Sequence, residues 1–290
     1  MSYQYRSRSW WWRLIPIAIA LVSAGVLMVR GCQEGPGGRN QIVAFGPEEE
    51  ARLGAQAFRE VLSESKVVRS GPLPERVQRV GRRLAVAAES DNYRTHFKLK
   101  PEKFVWEFQV VDSKQVNAFC LPGGKVVVYT GILPVCETEA GLATVMGHEI
   151  AHALAHHGAE RMAHQQLAQI GQLAVASSFS DLDPQQRRQI LSLYNVGSQY
   201  GLLKYSRDHE SEADYLGVVL MAAAGYDPKE AVRFWTRMDK QSGGSRTSEF
   251  SSTHPSHETR VRDLENWQPE AKSFFNKVTD RPNGQVRLDR

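Results

Sequence analysis

The sequence predicts an α+β fold, mainly helical, with a small β-sheet lying ahead of a long helical half. Three stretches carry that expectation. Residues 47 to 88 keep apolar side chains at helical spacing, with PEEE and Pro74 as starts. FVWEFQVVDSKQVNAFCLPGGKVVVYTGIL, from Phe104, is rich in β-branched and aromatic residues, and its turn signals at Asp112-Ser113 and Pro122-Gly123-Gly124 predict about three strands. From Glu137 the pattern is helical again. A chain of 290 residues, 41% hydrophobic, can bury one large core and carry an appendage.

Taken in order, residues 1–30 read as a membrane anchor or signal segment. Sixteen uncharged, mostly apolar residues run from Leu14 to Val29, with Trp10–Trp12 at one edge. Counting the tryptophans as interfacial and letting Arg13 snorkel, residues 10–29 are long enough to span a bilayer, which takes roughly 20 residues. Three arginines precede the run and Arg30 alone follows closely, so the positive-inside bias keeps the N-terminus in the cytoplasm. Three outcomes stay open: an uncleaved anchor, a lipoprotein signal processed at Cys32, and a cleaved signal. All three place the following domain outside the cytoplasm, in the periplasm of a bacterial cell.

Residues 31–46 read as a Gly-rich linker, 47–275 as the folded domain and 276–290 as a polar tail. Helices are expected at 47–65, about 74–88, 137–158, 159–178, 184–224 and 228–240. A mobile loop is expected at Gln241–Thr253, and one last helix after Pro255. Cys120 and Cys136 sit in no metal spacing and read as free thiols.

The formal net charge of +4 does not describe the domain. Residues 1–46 hold five arginines against Glu34 alone, so the remainder is neutral. Nucleic-acid binding is not expected on that ground, because a binder carries its positive excess on the folded surface.

The chemistry lies in GHEIAH, residues 147–152. Histidines four apart on a helix point from one face, so His148 and His152 can present ring nitrogens to one zinc ion per chain. Glu149 is about 100° round the helix, where it can act as a base without ligating the metal. Zinc acidifies its water towards a pKa of about 7 and polarises a carbonyl, and a neighbouring carboxylate takes the proton. A third histidine ten residues after the first is absent, since that position is Gly158, which excludes the metzincin pattern. His156 and His157 fall off the ligand face and read as packing or surface residues. Downstream, in SRDHESEADYLG, Glu210 and Asp214 are again four apart on one face. With HExxH in the same chain, Glu210 reads as the third ligand and Asp214 as an acceptor orienting a ligand histidine; a plain charged helix face is the competing reading.

GHEIAHALAHHGAER, HESEAD, NAFCLPGGKVVVYTGIL and STHPSHETR occur here in one order. Together, across residues 47–268, they resemble the zinc metallopeptidase family that includes the CAAX prenyl protease, the heat-shock protease HtpX, a mitochondrial inner-membrane stress protease and a periplasmic protease that assists β-barrel assembly. The resemblance implies a zincin-type domain with His148, His152 and Glu210 as zinc ligands, Glu149 as general base and Asp214 behind the ligands. It also places His254 and Arg260 near the active site, as polarising or gating residues. The single hydrophobic segment points to the single-anchor or lipoprotein members rather than to those with several transmembrane helices.

The expectation is therefore an exported, membrane-tethered zinc endopeptidase that takes protein or peptide substrates, in envelope protein quality control. A strand at Lys125–Thr130 is expected to pair with extended substrate. The alternative is a latent zinc-binding, chaperone-like protein that assists envelope protein assembly. The intact Glu149 speaks against it, since a structural zinc site needs no base.

Overall fold

The computed structural model describes residues 10–43, 45–242, 254 and 259–288. The expected loop from residue 243 to Thr253, the helix start at Pro255 and the first arginines lie outside them, while the loop's first two residues extend the preceding helix. The chain separates into two compact units, one of residues 1–33, 40–44 and 159–205, the other of residues 34–39, 45–158 and 206–290.

The first unit is built on α1 (Leu14–Gly31), the one helix among the described residues long and apolar enough to cross a membrane. Pro16, Ala20, Ala24, Gly25, Leu27 and Gly31 are its partly covered positions, a stripe at helical spacing, while Leu21, Val22 and Val29 on its other faces are exposed. Arg13 pairs with Asp181 at 2.7 Å. Most of α7 (His157–Ser178) and the first half of α8 (Pro184–Ala223) belong here too. Tyr194 fills the space over Gly171, and its hydroxyl donates to the Ala168 carbonyl at 2.8 Å. Where a Gly-rich linker was expected, β1 (Cys32–Glu34) and β2 (Asn40–Ile42) form a two-stranded hairpin around Pro36-Gly37-Gly38. Gly37 and Gly38 supply the positive φ its turn requires.

The second unit is α+β, as expected. A mixed four-stranded sheet runs in the order β3 (Val67–Val68), β4 (Glu107–Val111), β6 (Lys125–Tyr129), β5 (Ala118–Leu121), with β4 and β6 parallel and the other pairs antiparallel. The strand expected to meet substrate, β6, is thus interior, its hydrogen bonds taken by β4 and β5, and the edge belongs to β5. A full row of buried residues, Val126, Val127 and Val128, reflects that central place. The helices α2 (Pro47–Glu64) and α3 (Pro72–Glu89) match their expected spans, and α4 (Asp91–Phe97), capped by Ser90, is an addition.

After the short α5 (Leu133–Cys136) comes the central α6 (Glu139–Leu154), buried along nearly its whole length. The second half of α8 crosses it closely. A Cβ on Gly217 would stand 2.9 Å from the His148 nitrogen, so only glycine allows that approach. His156 takes a left-handed φ of 55° just past the end of α6. The helices α9 (Lys229–Ser242), α10 (Arg260–Asn266) and α11 (Gln268–Lys277) close the unit, so the single last helix of the sequence reading is split at Trp267. Nor is the polar tail loose, because residues 284–288 bond back to the start of α6.

Candidate active site

The crossing of α6 and α8 at Gly147 and Gly217 brings the two i, i+4 pairs face to face. His148 Nε2 lies 3.1 Å from His152 Nε2 and 3.3 Å from Glu210 Oε2, and His152 Nε2 lies 3.4 Å from Glu210 Oε1. His254 joins them, its Nδ1 3.3 Å from His148 Nε2 and 3.1 Å from Glu210 Oε1. These ligand-type atoms of His148, His152, Glu210 and His254 all lie within 4.8 Å of one another. A tetrahedral ion with bonds of about 2.0–2.1 Å requires donor separations of about 3.3 Å. The donors present fit zinc in number, type and spacing.

Glu149 is buried on α6, with Oε1 making no hydrogen bond among the described residues and standing 3.5 Å from His254 Nε2. Burial raises its pKa, against the opposing pull of His254 and His148, which suits a base that must take up a proton. The main-chain N–H of Cys120, on the edge strand β5, stabilises its charged form. That contact places the sheet edge beside the base.

Behind this cluster, His148 Nδ1 meets Asp214 Oδ1 at 3.0 Å, and Arg260 donates to Asp214 Oδ2 at 2.6 Å and to Glu210 Oε2 at 3.0 Å. Burial works to raise both carboxyl pKa values, but Arg260 and His148 hold Asp214 ionised, and the facing histidines hold Glu210 well below the usual range. The guanidinium of Arg260 is buried and stacks 3.9 Å over Trp235. It therefore grips the carboxylates of Asp214 and Glu210 rather than facing an open cleft.

The chain belongs to peptidase family M48. The family's model matches residues 72–268, which hold the HExxH helix, Glu210 and Arg260. Among similar proteins are the mitochondrial metalloendopeptidase OMA1 of Schizosaccharomyces pombe, 41% identical over 77% of this chain and 62% of its own length, and that of Saccharomyces cerevisiae, 34% identical over 70% and 58%. The β-barrel assembly-enhancing protease of Escherichia coli is 26% identical over 75% and 43%. The chain thus spans about 60% or less of these relatives. The matched domain is of the α+β kind, and the family to which it belongs is one of metallopeptidases.

The structure brings together every candidate of the sequence reading: His148, Glu149, His152, Glu210, Asp214, His254 and Arg260. His157, read from the sequence as a packing or surface residue, lies beside the site. This ring is buried and reaches His152 on one side and Glu212 on the other, at 2.9 and 2.7 Å. Burial, with the nearby charges of His152, His209 and Arg39, drives its pKa well down and keeps it neutral. The available signal was Glu212, on the helix face opposite Glu210. Its neighbour His156 is buried also, held between Glu50 and Glu102 at 3.1 and 3.0 Å.

Proposed function

We propose that the protein is a zinc endopeptidase whose ligands are His148, His152 and Glu210 and whose general base is Glu149. The observation that carries this reading is the convergence of three nitrogen donors and one carboxylate on one point, with a buried carboxylate of raised pKa beside them. Zinc, when bound there, polarises the scissile carbonyl and acidifies water. Glu149 takes the proton from the attacking water and returns it to the departing amine. Asp214 fixes the His148 ring, and Arg260 holds Asp214 and Glu210 in place. An extended peptide adding to the β5 edge would lie alongside Glu149, recognised through its backbone and with loose sequence preference.

His254 stands where a fourth donor would, within 3.3 Å of His148 and Glu210. A catalytic zinc keeps one position open for water, so in this arrangement the imidazole acts as a latch that holds the enzyme latent.

The apolar α1 tethers the domain to a membrane, with the catalytic unit outside the cytoplasm. For a bacterial chain that location is the periplasm, and the substrates are damaged or misassembled envelope proteins. The relatives named for mitochondrial proteolysis and β-barrel assembly support a quality-control role.

The test is Glu149→Gln, assayed on casein or unfolded envelope proteins with zinc content measured in parallel. Expected are one zinc per chain in both proteins and a loss of at least about a hundredfold in turnover, since only proton transfer is removed. Equal turnover by the two would sink the assignment.

A further inference from the structure

A second chain of contacts ends on the back of His152. His157 Nδ1 lies 2.9 Å from His152 Nδ1, and His157 Nε2 lies 2.7 Å from Glu212 Oε2. Arg39, in the turn between β1 and β2, grips that carboxylate with Nε 2.9 Å from both oxygens and Nη2 2.8 Å from Oε2. His209 stacks flat on the His157 ring, centroids 4.1 Å apart and planes at 13°, and so holds its orientation.

We infer that His157, Glu212 and Arg39 are positioning residues for His152, matching what Asp214 and Arg260 do for His148. The inference rests on the reading that His152 offers Nε2 to zinc. Its proton then sits on Nδ1, and His157 Nδ1, which faces it there, must accept. The His157 proton is thereby placed on Nε2, where it is donated to Glu212, a carboxylate that only accepts. Arg39, all donors, closes the series. Each group fixes the tautomer of the next, and no donor meets a donor. Such outer contacts set a ligand ring's angle and raise its basicity, and losing one weakens metal binding about ten- to a hundredfold.

An imidazole stands where His148 has a carboxylate. Glu210 and Asp214 already put two negative charges at the site, and His157 passes orientation to His152 while keeping the Glu212 charge one ring farther off. The segment read as a bare linker thus contributes a side chain to the metal centre.

The experiment measures zinc affinity of the full chain by competition with a chromophoric chelator, and unfolding of the metal-free protein separately. His157→Leu is expected to weaken zinc binding about ten- to a hundredfold, with Glu212→Gln and Arg39→Met weakening it about three- to tenfold. His157→Asn, whose amide oxygen can take the place of Nδ1, is expected to recover affinity to within about threefold of wild type. Metal-free stability of Arg39→Met and Glu212→Gln should stay near wild type, because both side chains are part-exposed. Unchanged affinity in His157→Leu, or losses in affinity that only track losses in metal-free stability, would overturn the inference. If His157→Leu does not fold, unchanged affinity in both Glu212→Gln and Arg39→Met overturns it instead. Failure of the underlying reading looks different: His152→Ala would then retain zinc.

Discussion

The main-chain N–H of Ala140 donates to the carbonyl of Gly284 at 2.9 Å, so the end of the chain caps the helix that carries His148 and His152. Val286 does the same for Glu139, while the Thr138 side chain takes the N–H of Gly141 and the Cys136 carbonyl takes that of Thr138. All four free donors at the start of α6 are thus satisfied, two of them by the tail. Deleting residues 283–290 would leave two buried donors unpaired, at about 1–3 kcal/mol each. Urea unfolding of the truncated protein should show a loss of about 2–4 kcal/mol, and an unchanged midpoint would mean that water serves the helix equally well.

Ligand roles separate by metal content. His148→Ala, His152→Ala and Glu210→Ala are each expected to lose most bound zinc, whereas Asp214→Asn should keep it with about ten- to a hundredfold weaker affinity, through lost orientation of His148. Atomic absorption on dialysed protein decides this. Full occupancy in Glu210→Ala would shift the third ligand to His209 or Asp214.

Removing the latch should not remove the metal. His254→Ala is expected to retain zinc on its three remaining donors and to degrade casein at a rate equal to or above wild type. A fall of about a hundredfold with zinc retained would mark His254 as a donor to the transition state and refute the latch.

His156 gives the fold a pH dependence of its own. Burial disfavours the charged ring, but hydrogen bonds to Glu102 and Glu50 outweigh it and push the pKa up to about 10 from 6.5. A raised folded pKa contributes stability that is complete below about pH 6.5 and fades as pH climbs towards 10. The difference in unfolding free energy between wild type and His156→Leu should be about 3 kcal/mol near pH 6 and shrink steadily above neutrality. A difference independent of pH would show that His156 contributes packing alone.

Much of the molecule is legible in local pattern. Apolar spacing and Pro or Gly punctuation marked α2, α3 and α6 to α9 to within a few residues, because amphipathic periodicity is a property of each segment by itself. The HExxH string and the Glu210/Asp214 pair were legible for the same reason, since residues four apart share a helix face wherever the helix lies. What tertiary structure alone decided depends on partners distant in sequence. The interior place of β6 comes from strand order, which the strand's own residues do not specify. The tail that caps α6 and the Arg39 that reaches Glu212 lie in segments with no periodicity, ordered only by the backbone and carboxylate groups they meet. His157 looked like a packing residue because its offset from His148 is wrong for a ligand; only the fold shows that it stands behind His152, where a ligand's second nitrogen needs an acceptor.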